Sequence, residues 1–420
     1  MRSNANRWMV GASLTLIAAA RTWAEDQVGF LHQSYVEDHS RMTVNTEALR
    51  VQYTVAPWLE VTGRGVYDAI SGATPTGAPA IDQLKMRKPI THEPIPNSSI
   101  TGFTRLIDGV AGASPVSGAP ISHSEIPLAE SRDIRRGGDI GLGFTFGPHH
   151  LTPQISYSQE NDYISWAGSL NYSLELNEKN TIISAGWSHA YDQILPATGS
   201  YIEHRQIKNT DEFMVGVSQV VGPTTIISLN GTLGYANGYL NDPYRSVVFQ
   251  ESPLDQNDQV VLQGEKRPSW RNSQALLLTA TQAIKPLNAS IEGTYRFYHD
   301  SYGITANTFG LQWFQKFGRV AVVSPSLRYY RQSAASFYDI QFPGDPNFDA
   351  AHAPNYYSSD YRLSYMETFT LGIEGTIHIG EQFDVRLGYQ RYWMHGLDHE
   401  TLQAVYPNAN IFTIGLSYRF

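Results

Sequence analysis

The sequence predicts an all-β fold, a transmembrane antiparallel β-barrel of about sixteen strands with long extracellular loops. Three observations carry that expectation. Segments of about ten to fourteen residues alternate apolar and polar side chains with a period of two. Short turns alternate along the chain with long polar connections, and the stretch from Asn410 to Phe420 alternates without a fault.

Taken in order, the chain opens with Arg2 and Arg7, an apolar run from Met9 to Ala20 and a small-residue site ending at Ala24. That pattern reads as a cleaved secretory signal over residues 1–24, because the run is too short to span a bilayer as a helix and Glu25 and Asp26 follow at once. The barrel domain is expected over 25–420. Without Arg2, Arg7 and Arg21 the chain carries a net charge of about −12, which disfavours nucleic acid as a partner. Cysteine is absent, so disulfides, thiolate metal sites and thiol catalysis are excluded. Mean hydropathy is −0.30 although 41% of residues are hydrophobic. A barrel reconciles the two, since only every second strand residue must face lipid.

The expected strands lie near 28–35, 42–55, 59–70, 134–146, 151–163, 164–176, 181–191, 210–221, 225–237, 272–284, 289–301, 304–317, 320–333, 361–379, 382–394 and 409–420. Short turns fall at Pro57, Gly147-Pro148, Asn177 to Asn180, Gly222-Pro223, Lys285-Pro286-Leu287, Gly318 and Gly380-Glu381. Long connections fall near 71–133, 192–209, 238–271, 334–360 and 395–408, with tight ones at 36–41, Asp162 and 301–303. An even strand count places all short turns at one end and all loops at the other, as a barrel with both termini on one side requires.

The faces are legible within the hairpins. Leu49, Val51, Tyr53 and Val55 form one face and Arg50, Gln52 and Thr54 the other. Trp166, Leu170, Tyr172, Leu174 and Leu176 repeat the apolar face, as do Phe309, Leu311, Trp313 and Phe317, and Phe369, Leu371, Ile373 and Ile377. Trp58, Tyr163, Trp166, Tyr191, Tyr235, Tyr239, Tyr389, Tyr392 and Trp393 cluster near strand ends, where amphipathic rings form interfacial girdles. In the last strand Phe412, Ile414, Leu416, Tyr418 and Phe420 oppose Thr413, Gly415, Ser417 and Arg419. Gly415, Tyr418 and Phe420 resemble the C-terminal assembly signal of bacterial outer-membrane barrels, Gly-x-x-aromatic-x-Phe. That resemblance implies a Gram-negative outer membrane, with its lipid and the barrel-assembly machinery as partners.

Inward charges are the expected carriers of function: Arg50, Arg64, Glu292, Arg296, Arg328, Glu374, Asp384 and Arg386. Arg50 is expected opposite Arg64, Glu374 opposite Arg386 with Asp384 diagonal to it, and Arg296 and Arg328 on either side of Thr308. Such residues either screen solutes or pair with one another and stiffen the wall. The connection 71–133 is long enough to fold inward as a plug or to stay at the surface. Histidines offer no diagnostic ligand spacing: His149 and His150 are adjacent, and His92 with Glu93, His123 with Glu125, and His395, Asp398, His399 and Glu400 lie in loops. No metal or other cofactor is expected. Catalysis is not expected either, as the chain has no nucleophile elbow and no zincin helix, and Asp162 and Asp300 suit turn backbones better than a rim dyad.

Several stretches together resemble an uncharacterised proteobacterial outer-membrane family, the domain of unknown function family 3570. They are Tyr67 to Pro75, Tyr157 to Tyr163 with Glu160 and Asp162, Gly238 to Arg245, Arg267-Pro268, and Tyr295 to Tyr298. The resemblance covers nearly all of the chain after the leader and implies a barrel associated with periplasmic redox proteins or small lipoproteins. It brings no catalytic residues. On this basis the expected role is a pore or passage for small solutes or cargo, or else a non-conducting barrel that anchors partner proteins. An outer-membrane hydrolase is the third class.

Overall fold

The computed structural model describes residues 26–79, 126–250, 260–344, 346 and 350–420. The expected leader, His92, Glu93, His123 and Glu125 lie outside the described residues. Alternating side chains build β1 (Gln27–Glu37), β2 (Met42–Ala56), β3 (Leu59–Pro75), β4 (Leu128–Phe146), β5 (His149–Gln159), β6 (Tyr163–Leu176), β7 (Thr181–Ile194), β8 (Gln206–Gly222) and β9 (Thr225–Gly238). Two short strands follow, β10 (Ser246–Gln250) and β11 (Val260–Gly264), and the wall resumes with β12 (Trp270–Ile284), β13 (Ala289–Asp300), β14 (Thr305–Phe317) and β15 (Ala321–Gln332). After the short β16 (Phe342–Pro343) come β17 (Met366–Ile379), β18 (Phe383–Gly396) and β19 (Ala409–Arg419).

Sixteen of these strands form one closed antiparallel barrel, in which each pairs with its sequence neighbour in the wall and β1 closes against β19. The closing register runs from Gln27 opposite Arg419 to Glu37 opposite Ala409. Closure satisfies every edge, the condition for a sheet to cross a bilayer. The other three strands form a small separate sheet in the order β11-β10-β16. Sequence periodicity does not reveal that sheet, because it lies inside connections that read as polar loops.

Side-chain exposure follows the alternation. Leu49, Tyr53, Ile140, Ile155, Trp166, Val215, Leu233, Phe309, Ile373 and Phe412 are exposed on the outer face of the wall. A continuous apolar outer skin of this kind is soluble only in acyl chains. Trp58, Phe144 and Phe146 stack in a row at the short-turn end, and Tyr157 meets Trp166 at 4.5 Å toward the loop end. Three residues expected in the girdle lie elsewhere. Tyr163 packs under Lys208 inside the barrel, Tyr392 belongs to a lumen cluster, and Tyr239 sits in the loops.

At the short-turn end the backbone reverses through left-handed residues: Gly147, Gly318, Gly380 and Asn288, and three in a row at Asn177, Glu178 and Lys179. The turn after β17 corrects one expected register. Ile379 pairs with Phe383 across a three-residue turn, so Glu374 lies opposite Gly388 and Arg386 opposite Thr376. β3 and β4 also run further than expected, to Pro75 and from Leu128, since their upper ends stand above the apolar band and lose its signature. At Gly72 the chain takes a φ of 137° and passes so close to β2 that a Cβ would meet Met42 Cα at 2.6 Å. The strand continues past this point rather than bending away.

Candidate functional site

The inward-facing side chains divide the barrel into two halves. Toward the short turns the lumen is wet: Arg50 is exposed, and the Arg64 and Arg386 side chains are 46% and 53% accessible. Toward the loops the inward residues Met42, Val44, Ile70, Ala306, Met366, Met394 and Ala409 are buried. The loops themselves cover them.

Through their described residues, the connections at the loop end join in one cap. Asp38 takes a bidentate ion pair from Arg391 at 2.6 Å, and Arg41 donates to Ala404 O at 2.7 Å. Tyr244 donates to Asp162, Arg245 to Pro75 O, and Ser246 N to Thr76 O, which carries the β9–β12 connection across the mouth to the far wall. Backbone bonds tie Lys266 to Tyr357, Ser336 to Tyr302 and Ala335 to Leu363. Val247, Phe249, Phe342 and Tyr357 pack as a dry cluster around the small sheet. Tyr361, carried by the β15–β17 connection, reaches down to Tyr330, Tyr392, Met366 and Met394 on the wall.

Six charges are locked inside the cap. Asp360 receives Arg267 Nη2 at 2.8 Å and the Arg362 guanidinium through Nε at 2.8 and 2.9 Å. Asp242 receives Arg362 at 2.7 Å and lies 3.4 Å from Arg245, and Glu265 pairs with Arg267 at 2.7 Å. Asp242, Arg245, Glu265 and Asp360 are almost fully buried. Burial alone would raise the carboxyls, but the arginines outweigh it at two of them: Arg362, Arg245 and Arg267 hold Asp360 well below the usual range, and Arg245 and Arg362 lower Asp242. At Glu265 burial dominates, Asp360 and Asp242 add to it against Arg267, and the carboxyl is raised. These groups form a matched set in which each charge depends on the others.

The lumen candidates all sit on the inner side of their strands. Arg50 and Arg64 are opposite each other, and Arg64 turns to Asp139 at 2.7 Å. Glu374 meets Arg386 diagonally at 3.4 Å, while Asp384 binds His378 at 2.5 Å and Arg419 at 3.0 Å. Glu292 accepts from Thr281 at 3.1 Å. Arg296 lies opposite Thr308 as expected, but Arg328 lies opposite Gly310 rather than beside Thr308, whose partner on β15 is Tyr330.

Other candidates are engaged locally. Asp300 accepts from Arg271 and from the Tyr302 and Ile304 amides, and Asp398 accepts from the Glu400 and Thr401 amides, so both serve turns. His149 contacts Tyr172 and His150 contacts Glu175, on opposite faces of β5. Asp133, Glu160 and Asp162 bring carboxylate oxygens within 4.8 Å of one another at the tops of β4–β6. The six cap charges are the part of the site that sequence reasoning missed. Asp242, Arg245 and Arg267 stood in the resemblance stretches without a role for their side chains, and nothing in the local sequence linked them to Glu265, Asp360 or Arg362.

A closed sheet with an apolar skin, a wet inside and alternating short and long connections defines a transmembrane β-barrel protein. The chain belongs to the family described as protein of unknown function (DUF3570), whose model matches residues 5–420. No curated protein matches it. Among solved structures it is similar to a bacterial polysaccharide outer membrane secretin, at 7% identity and a TM-score of 0.46 over 94% of this chain and 98% of that one. It is also similar to CdiB from Acinetobacter baumannii, at 10% identity and 0.48 over 94% and 60%, and to OmpT of Vibrio cholerae, an outer membrane protein, at 9% and 0.41 over 94% and 97%.

Proposed function

We propose that this protein is a gated passage in the outer membrane of a Gram-negative bacterium. Its lumen opens to the periplasm and its outer mouth is shut by the cap. The observation that carries this reading is the division of the lumen, with hydrated arginines at the short-turn end beneath a mouth closed by buried charge pairs. Sixteen strands leave a water-filled interior unless something fills it, and among the described residues the filling is confined to the loop half. The Gly415, Tyr418 and Phe420 signal fits delivery by the barrel-assembly machinery. In this reading the protein is not an enzyme.

The closed mouth also favours a second reading, a non-conducting barrel that anchors periplasmic redox proteins or lipoproteins at its short-turn end. Single-channel recording on purified protein in planar bilayers separates the two. A passage gives a mostly closed wild type, stepwise openings when Asp360→Asn loosens the cap, and altered ion selectivity when Arg50 and Arg64 are neutralised. Silence from both wild type and D360N, with the barrel folded, overturns the passage and leaves the anchor.

A further inference from the structure

Five inward arginines of the wall have a carboxylate partner: Arg64 with Asp139, Arg135 with Asp68, Arg271 with Asp300, Arg386 with Glu374, and Arg419 with Asp384. Arg50 has none and contacts Gln52 at 3.5 Å, and Arg296 and Arg328 have none either. Among the described residues no carboxylate oxygen lies within 4.0 Å of either guanidinium. The acids that face them are Glu212 on β8, whose field reaches Arg296, and Glu292 one turn of the pleat below, which is engaged by Thr281.

The two arginines flank β14 from opposite sides. Between them stand Thr308 and the side-chain-free Gly310, so the wall is recessed between the two side chains. Each guanidinium lies by a tyrosine ring of its own strand, Arg296 at 5.2 Å from the Tyr298 centroid and Arg328 at 5.7 Å from that of Tyr330. Stacking fixes a guanidinium plane and leaves its N–H fork free for an oxyanion. Arg328 is exposed to the lumen, and Tyr361 of the cap packs on Tyr330 and Tyr392 as a roof. The result is a cationic recess at the blind end of a wet chamber. Two like charges with no carboxylate in direct contact are stabilised by a ligand that supplies one.

We propose that Arg296 and Arg328 form a binding site for a small solute bearing two or more oxyanion charges, a phosphate ester or a polycarboxylate, admitted from the short-turn end. The proposal rests on the passage reading only for its direction of entry. Isothermal titration of the full-length protein in non-ionic detergent, with inorganic pyrophosphate and with citrate against a chloride background, tests it. At least one probe binds saturably at one site per chain, and which of them binds assigns the phosphate or the carboxylate class. Arg296→Gln and Arg328→Gln each weaken binding about tenfold or more, Arg328→Lys retains part of it, and Arg319→Gln, in the exposed turn between β14 and β15, leaves it unchanged. Absence of saturable binding of both probes to the wild type, or equal losses in R319Q and R328Q, overturns the site. Because the readout is equilibrium binding, a conducting protein that binds neither probe keeps the passage and loses the site. A silent one that binds loses the passage and keeps the site.

Discussion

At Asp360 two guanidinium groups donate to one carboxylate and a third lies 3.9 Å away, with Asp242 and Glu265 completing the balance. Removing one member leaves the others buried without compensation, which costs more than the pair's own net worth. D360N is therefore expected to weaken the cap by about 3–5 kcal/mol while sparing the wall. Amide hydrogen exchange reads this directly: 240–248 and 355–365 lose protection and β17 to β19 keep theirs. The same residues set the pH response. Asp242 and Asp360 are lowered from 3.8, so their contribution is complete above that value and is lost as pH falls through the lowered ones. Glu265 is raised from 4.5 and has the opposite sign: its contribution is complete below 4.5 and lost as pH rises through the raised value. Cap protection is therefore expected to be lost as pH falls below 3.8 and to decline in part as pH rises through the raised value of Glu265, as exchange or limited proteolysis across pH will show. At this scale the sequence was least informative, because a buried ion pair is defined by its partners and these stand up to 120 positions apart.

At the scale of the element the sequence was most informative, since a strand between lipid and water must alternate and a slip of one residue inverts its faces. All sixteen wall strands were legible for that reason, and the errors fell where lipid no longer constrains the side chains. The upper ends of β3 and β4 and the small cap sheet carry no lipid-facing apolar pattern, although Val247-Val248-Phe249 is an apolar run inside a polar connection. The register error at β17–β18 came from a turn two residues longer than a reversal centred on Gly380, which moves the partner of Glu374 from Arg386 to Gly388. Ile140 is 57% exposed on the outer face of β4, so Ile140→Arg is expected to cost about 2–4 kcal/mol in lipid. The inward Gln154→Arg is expected to change stability by less than about 1 kcal/mol, and urea titration in vesicles compares the two. Phe420 is exposed, its ring stacks on Tyr418 at 6.0 Å, and its amide donates to Asp26 O at 2.9 Å. Its deletion is expected to lower the yield of heat-modifiable barrel in cells severalfold while leaving refolding in vitro intact.

Over the whole molecule, closure of the wall and closure of the mouth are separate achievements of one chain. The wall follows from a two-residue period repeated around a ring; the cap follows from connections that meet over the lumen and bury charges no single one can satisfy. Function at this scale depends on which end is open. The native chain has no cysteine, so a single introduced thiol reports its own accessibility to a membrane-impermeant maleimide. Glu203→Cys marks the cap surface, Glu381→Cys the short-turn end, and Arg50→Cys the lumen beneath the cap. In intact cells only E203C is expected to react; once the outer membrane is permeabilised, E381C and R50C react as well. Labelling of R50C in intact cells would mean an open mouth, and its failure to react beside a labelled E381C would mean a sealed lumen; either result contradicts a barrel closed outside and open within.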